Sequence, residues 1–532
     1  MLTKKDKTKY RNLLFRHLDG LATATTAFSL HKKGVLDYLL QQKKISLTTL
    51  TKQFNANVGY LNVGLRVLCS QGWLIQHINS SNGTIIYEIN EKSKIAFALV
   101  PLYEDAVNLL QYSVLFPKER IGADAFIALE RIFKKLENNY NISNFNEIEN
   151  QVLKHIEGVV IAPIIVLLGV NGMFHKYFME ASFRAQEYHK DPESFKKILD
   201  FFVHLQWFNK KKDTYQFTDK GLFFAKRASA YGVTVSYLPT FMQIDELLFG
   251  DPLVLNSLPN ETEKHVHREM NVWGSGGAHS TYFKVIDEII INIFNKPIEE
   301  QPKGILDMGC GNGAFIQHIF EVIEHQTLRG KLLEDYPLLL VGADFNQAAL
   351  KVTRANLIKA DIWAKVIWGD IGRPDLLATD LKENYNIALK DLLNVRTFLD
   401  HNRIWEMPLN TTGRTSTSTG AYTYKGKHLK NNLVEDSLLE HLLKWKPYTE
   451  KFGLLVIELH TVTPELVAKN IGKTAATAYD ATHGYSDQFI LEIDVFHKIA
   501  IEAGLHPDPK YATKFPNNEL ATVSVNLLRG KK

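Results

Sequence analysis

Apolar positions in YLNVGLRVLCSQGWLIQH (60–77) recur at helical spacing as far as Trp73. They then give way to TIIYEINEKSKIAFA (84–98), which opens as a strand-like alternation. The same succession returns later in the chain. SFKKILDFFVHLQWFNKK (194–211) leads into TYQFTDKGLFFAKRA (214–228), and short apolar runs, GVLDYLL (34–40) and GMFHKYF (172–178), precede the two copies. Leu61 stands as far from Trp73 as Phe195 does from Trp207. Self-similarity of this kind marks a repeat, and helix, helix, hairpin is the order of a winged helix. The pattern predicts one winged-helix unit over 1–120 and a second over 121–250.

From about residue 282 the period changes. Strand-like runs alternate with helical ones: GILDMG (304–309), LLLVGAD (338–344), KVIWGD (365–370), YNIALKDLLNV (385–395), LLVIELH (454–460) and a final LATVSVNLL (520–528). That order predicts an α/β, Rossmann-like domain over 251–532 with a mostly parallel seven-stranded sheet. The run GVVIAPIIVLLGV (158–170) is too short to span a bilayer and carries Pro163, so a buried helix is expected.

A chain of 532 residues exceeds one hydrophobic core, and 45% hydrophobic residues supply several. A formal net charge of +4 is too diffuse to indicate nucleic acid or a membrane as partner. The helix of the first repeat offers only Arg66 as a cation, and that of the second only Lys196 and Lys197, too few for a groove-reading face. Packing or dimerisation suits them better. Two cysteines, Cys69 and Cys310, exclude a disulfide framework and an all-cysteine zinc site. The charged N-terminus lacks the apolar core of a secretory signal, so a cytoplasmic protein is expected.

Chemistry concentrates at the ends of the later strands. In GILDMGCGNGAF (304–315), Asp307 closes a strand, and Gly309, Gly311 and Gly313 form a turn where backbone can approach a ligand. Asp344 ends the second strand and Asp370 the third. The spacing D-x-G-x-G-x-G differs from the dinucleotide pattern and resembles motif I of class I S-adenosylmethionine (SAM) methyltransferases. That resemblance implies Asp344 on the two ribose hydroxyls, Asp370 on the adenine's exocyclic amine, and further cofactor contacts from their neighbours Phe345 and Ile371. The other reading is a set of loop-capping acids in an unrelated doubly wound fold. Upstream, NVWGSGGAHSTYF (271–283) reads either as a loop bringing Ser275 and His279 to the methionine end, or as a helix cap at Ser280 or Thr281.

The stretch AYDATHGYSDQF (478–489) packs Tyr479, Asp480, His483, Asp487 and Gln488 together without helical or strand alternation. It follows the fifth strand, where His460 emerges, on the face where a methyl group would be presented. For any single histidine there, burial with a backbone hydrogen bond is the commoner situation. The segments RTFLDHNR, STGAYTYKG, VIELHTVTPELVAKNIG and YDATHGYSDQF together resemble the metal-dependent C-methyltransferase domains of apratoxin-type polyketide synthase loading modules. That resemblance implies SAM, a mononuclear iron or manganese, and a malonyl group on a carrier protein. It points to His460, His483 and Gln488 as ligands, with Asp400, Asp480 and Asp487 as substitutes. The winged-helix repeat in turn resembles the N-terminal region of small-molecule methyltransferases, which implies a homodimer and a roof over the substrate. Partners so implied are a small-molecule or acyl-carrier-bound substrate and an acyl carrier protein. Two other functions stay open: a metal-free O-methyltransferase with His460 or His483 as general base, and a SAM-sensing winged-helix regulator.

Overall fold

A computed structural model describes residues 2–79, 83–111, 123–140, 146–179, 182–257 and 263–531, with no side chain described at 123, 125, 139, 140 or 277–281. Helix α1 (Lys4–Lys32) starts at a capping box, Thr3 and Asp6 each accepting the other's amide. Strand β1 (Lys44–Ser46), helix α2 (Val58–Ser70) and strands β2 (Leu74–Ile78) and β3 (Ile85–Ile89) follow, the sheet running β1-β3-β2. After helix α3 (Glu147–Val170) the same arrangement recurs. Strand β4 (Phe183–Arg184), helix α4 (Pro192–His204) and strands β5 (Phe208–Lys211) and β6 (Thr214–Phe217) make a sheet ordered β4-β6-β5. Both strand-like runs stop earlier than their composition suggests. Ser93 accepts the Asn90 amide and opens a helix after β3, and Thr218 accepts the Gly221 amide and opens another after β6.

Two glycine contacts set the helix layer. A Cβ at Gly20 would lie 2.5 Å from the His155 backbone, and one at Gly158 would lie 2.4 Å from that of His17, so α1 and α3 cross with their backbones touching. Helix α3 is apolar and long enough to cross a membrane by length and composition, yet 78% of its apolar window is buried. It carries Pro163 within the helix, and buried His17 bridges Tyr231 at 2.8 Å and Glu157 at 3.0 Å across this layer.

The segment 271–283, read from sequence either as a loop or as a helix cap, lies within a continuous helix. Helix α5 (Ser229–Ser236) crosses α6 (Arg268–Phe294), and a Cβ at Gly274 would sit 2.7 Å from the Gly232 Cα. The glycines serve a helix crossing here rather than a turn, and Ser280 and Thr281 lie mid-helix instead of at a cap.

The C-terminal sheet contains β7 (Gly304–Met308), β8 (Leu339–Asp344), β9 (Lys365–Trp368), β10 (Leu392–Thr397), β13 (Leu454–Leu459), β14 (Leu505–Pro507), β15 (Thr513–Phe515) and β16 (Val523–Gly530). The hairpin β11 (Tyr422–Tyr424) and β12 (Lys427–Leu429) stands apart from it. The order is β14-β16-β13-β10-β7-β8-β9, parallel from β9 through β13, with β16 antiparallel to its neighbours. The mostly parallel Rossmann-like sheet is as expected, with one strand more than seven because β15 also pairs with β16. The fourth strand begins only at Leu392: the preceding turn holds Asp391, which pairs with Lys303 and Lys451 at 3.0 Å. Helices α7 (Ala314–Gln326) and α8 (Asn431–Thr449) flank the sheet, and α9 (Ala476–Gly484) packs against α1 and α2. Thus most of AYDATHGYSDQF is helical. Its alanines and threonines are buried against α1 and α2, so burial all round hides the alternation that would have marked a helix.

Helix α2, the groove-reading helix of a winged-helix regulator, is covered by α9 and the β11–β12 hairpin. Its one cation, Arg66, is buried and bonded to Asp480 at 2.9 Å. This helix has neither the free face nor the charge for DNA.

Candidate functional site

The glycine turn is built on β7. Gly309, Gly311 and Gly313 take φ of 82°, 54° and 80°, a region L side chains avoid. The Gly309 and Cys310 amides donate to the Ala343 carbonyl at 2.8 and 3.1 Å, tying the turn to β8. Asp344, at the end of β8, accepts the Gly311 amide at 3.0 Å and the Asn346 amide at 2.8 Å. Asp307 is buried beside it, its Oδ1 without a partner among the described residues. Burial, and then Asp344, push its carboxyl up to about 7. A buried, unpaired carboxylate above an open glycine turn fits a zwitterionic ligand: SAM carries an ammonium that would supply the missing partner.

The adenosine end fits as well. Phe345 is 55% exposed beside Asp344, with Trp368 5.7 Å away between ring centroids. Asp370, half-buried, accepts the Gly372 amide at 2.8 Å, and the Ile371 carbonyl accepts the Trp445 indole N–H at 2.7 Å, which fixes this loop against α8. Ser275 lies on α6 with its hydroxyl given to the Val272 carbonyl at 3.1 Å. The side chain of His279 lies outside the described residues.

Across the sheet ends, a short turn after β10 carries His401, and Glu458 stands near the end of β13. The His401 Nδ1 and the Glu458 carboxylate are bonded, and Glu458 also accepts the His401 amide. The ring of His483 on α9 meets that of His401 edge to face, centroids 5.1 Å apart. His483 Nδ1 donates to the Tyr479 carbonyl at 2.9 Å. With both Nδ1 atoms tied to acceptors, the hydrogen-bond pattern assigns each proton to Nδ1 and leaves each Nε2 lone pair to a ligand. Burial and the neighbouring His401 push His483 down to about 3, so it stays neutral. Gln488 donates its own amide to the His483 carbonyl at 2.9 Å and its Nε2 to the Tyr237 hydroxyl at 3.4 Å, leaving its side-chain oxygen as an acceptor.

His460 is placed differently from expectation. It is fully buried, with Nδ1 on the Leu491 carbonyl at 2.9 Å and Nε2 on the Ser524 hydroxyl at 2.7 Å, so both nitrogens are engaged by protein. The substitute ligands are engaged too. Asp400 binds Arg396 and His441, Asp480 binds Arg66 and Thr461, and Asp487 binds Thr423, Tyr60 and the Lys425 amide. The residue missed from sequence is His401. Its signal was its place just beyond a strand's carboxyl end; its acid partner, remote in sequence, gave none. Among the described residues no three His, Cys, Asp or Glu side chains converge on one point. A metal here would rest on two histidines and a carboxamide, an N,N,O donor set that suits iron or manganese. The bond from each Nδ1 to a carboxylate or carbonyl is the outer support that metal-binding imidazoles commonly have.

Comparison with known proteins finds three family descriptions matched in succession: the AprA N-terminal domain over 10–76, the AprA winged helix domain over 157–251 and the AprA MT2-like domain over 263–526. No curated protein matches in sequence. Among solved structures, the mitomycin 7-O-methyltransferase MmcR is 12% identical, covering 72% of this chain and 98% of its own, at a TM-score of 0.41. An O-methyltransferase family 2 protein from Planctomyces limnophilus, solved with apigenin, is 10% identical over 100% of this chain and 98% of its own, at 0.37. The CurJ carbon methyltransferase is 12% identical over 80% and 100%, at 0.31.

Proposed function

We propose that the chain, which matches in succession the AprA N-terminal, winged helix and MT2-like domains, is a SAM-dependent methyltransferase that methylates carbon in a polyketide-type acceptor. The acceptor would be a malonyl or β-ketoacyl group on a carrier, with His401, His483 and Gln488 holding a mononuclear iron or manganese. One observation carries this reading: two imidazoles whose rings lie 5.1 Å apart, each with Nδ1 fixed by an acceptor. The bound ion would supply Lewis-acid stabilisation of an enolate oxygen.

The chain's own residues supply the rest. Asp307, Asp344 and the glycine turn hold the donor, so that the acceptor's enolate carbon, its proton first lost to solvent water, bonds to the methyl as the sulfur–methyl bond breaks and S-adenosylhomocysteine leaves. Glu458 orients His401, and burial keeps His483 unprotonated. The test is metal analysis of purified protein, then SAM with malonyl- and β-ketoacyl-carrier substrates, followed by mass spectrometry of the product. Full turnover after chelation would remove the metal.

A second reading, a metal-free O-methyltransferase, is favoured by the His401–Glu458 pair itself. His401 Nε2 would take the acceptor hydroxyl's proton, and Glu458 would stabilise the imidazolium. A product methylated on oxygen, with H401A inactive and wild type free of metal, selects it.

A further inference from the structure

We propose that Arg66, on helix α2 of the first winged-helix unit, is a positioning residue for the acceptor site, clamping α9 so that its His483 meets His401. Its guanidinium joins three segments of the C-terminal domain. Nε donates to Asp480 on α9 at 2.9 Å, and one terminal nitrogen donates to the Thr461 hydroxyl at 2.8 Å and the Val462 carbonyl at 2.9 Å, just beyond β13. The other donates to the carbonyl and hydroxyl of Thr419, in the loop before β11. Asp480 lies one helical turn before His483, and Thr461 lies three residues beyond Glu458, which grips His401. Arg66, Thr461, Asp480 and Gln488 also line one small, partly open pocket. The two halves of the acceptor site therefore meet through Arg66.

A planar fork is needed to reach all three segments. A lysine would keep the charge and lose the geometry. The winged-helix unit thus supplies a structural part of the acceptor site. The inference rests on the reading of His483 and Gln488 as metal-holding residues, and the test separates the two.

Wild type, R66K, R66M and D480N are compared as full-length protein with Mn(II) as the probe, followed by electron paramagnetic resonance. Calorimetry with S-adenosylhomocysteine and thermal melting use the same samples. Expected is Mn(II) binding weakened about 10- to 100-fold in R66M and D480N, with an altered Mn(II) spectrum, and R66K failing to restore it. S-Adenosylhomocysteine affinity, measured on folded protein, should hold within about twofold. Folded R66M that binds Mn(II) as wild type does overturns the clamp. If R66M does not fold, R66K and D480N decide by the same readout. Wild type that binds no Mn(II) removes the metal reading, and hydrogen exchange over 476–488 then judges the clamp alone. Faster exchange confined to that segment in R66K or D480N supports it, and unchanged exchange sinks it.

Discussion

Asp307 and Asp344 lie on neighbouring parallel strands, and Asp344 adds to the burial that pushes Asp307 up to about 7. The pair leaves Asp307 Oδ1 without a partner in a site that a SAM ammonium would complete.

Cofactor affinity should therefore depend on pH. Above about 7 Asp307 is ionised and ready for the ammonium. Below it a proton must first leave, and affinity should fall by up to about tenfold per pH unit. Calorimetry with S-adenosylhomocysteine from about pH 5.5 to about pH 8.5, a window around that raised value rather than the ordinary aspartate range, measures this. A flat profile in wild type contradicts the assignment, and D307N should be both weaker and flat.

The same shift acts on folding with the opposite sign from an ordinary salt-bridged aspartate. The raised carboxyl favours the folded state when protonated, so its contribution is greatest in acid and is lost as pH rises toward 7. In the absence of cofactor, D307N should be more stable than wild type at pH 8 by on the order of 1 kcal/mol. SAM should raise the wild-type melting temperature more at pH 8 than at pH 6.

Phe345 stands exposed next to the ribose acid. F345A should weaken S-adenosylhomocysteine binding about three- to tenfold with little change in the melting temperature of the empty protein. Unchanged affinity would place the adenine elsewhere.

Histidine substitutions should separate sharply. H401A and H483A should lose bound iron or manganese, because each removes a free Nε2. H460A should retain it and lose about 1–3 kcal/mol of stability, since it strips the Leu491 carbonyl and Ser524 of a buried partner. Metal content per folded chain, with denaturant titration alongside, reads both effects. Metal lost in H460A but kept in H401A would reverse the assignment.

The helix crossing of α5 and α6 makes a paired test. At Gly274 a Cβ would meet Val233 N at 2.5 Å, a backbone contact that cannot yield locally, so G274A should cost about 1–3 kcal/mol. At Gly276 nothing lies within 4 Å, and G276A should gain about 0.5–1 kcal/mol of helix stability. Equal melting temperatures for the two variants would contradict the crossing.

Local chemistry was legible in the sequence. Positive-φ glycines between Asp307 and the next helix, acids at successive strand ends and apolar runs with the periods of helix and strand each arise within a few residues. They were enough for the mostly parallel sheet and for a winged-helix domain ahead of it. Tertiary structure decided where one period served two environments. The Gly-Ser-Gly-Gly segment reads as a loop or a helix cap because glycine disfavours the helix interior, whereas in the fold it is helix with Gly274 packed closely on Gly232. AYDATHGYSDQF hides its helix because it is buried on nearly every side. His460 and His401 both follow strand ends; Ser524 and Leu491 occupy the first, and Glu458 orients the second. Such choices depend on residues distant in the chain that folding brings within hydrogen-bond reach, and no window of sequence contains both partners.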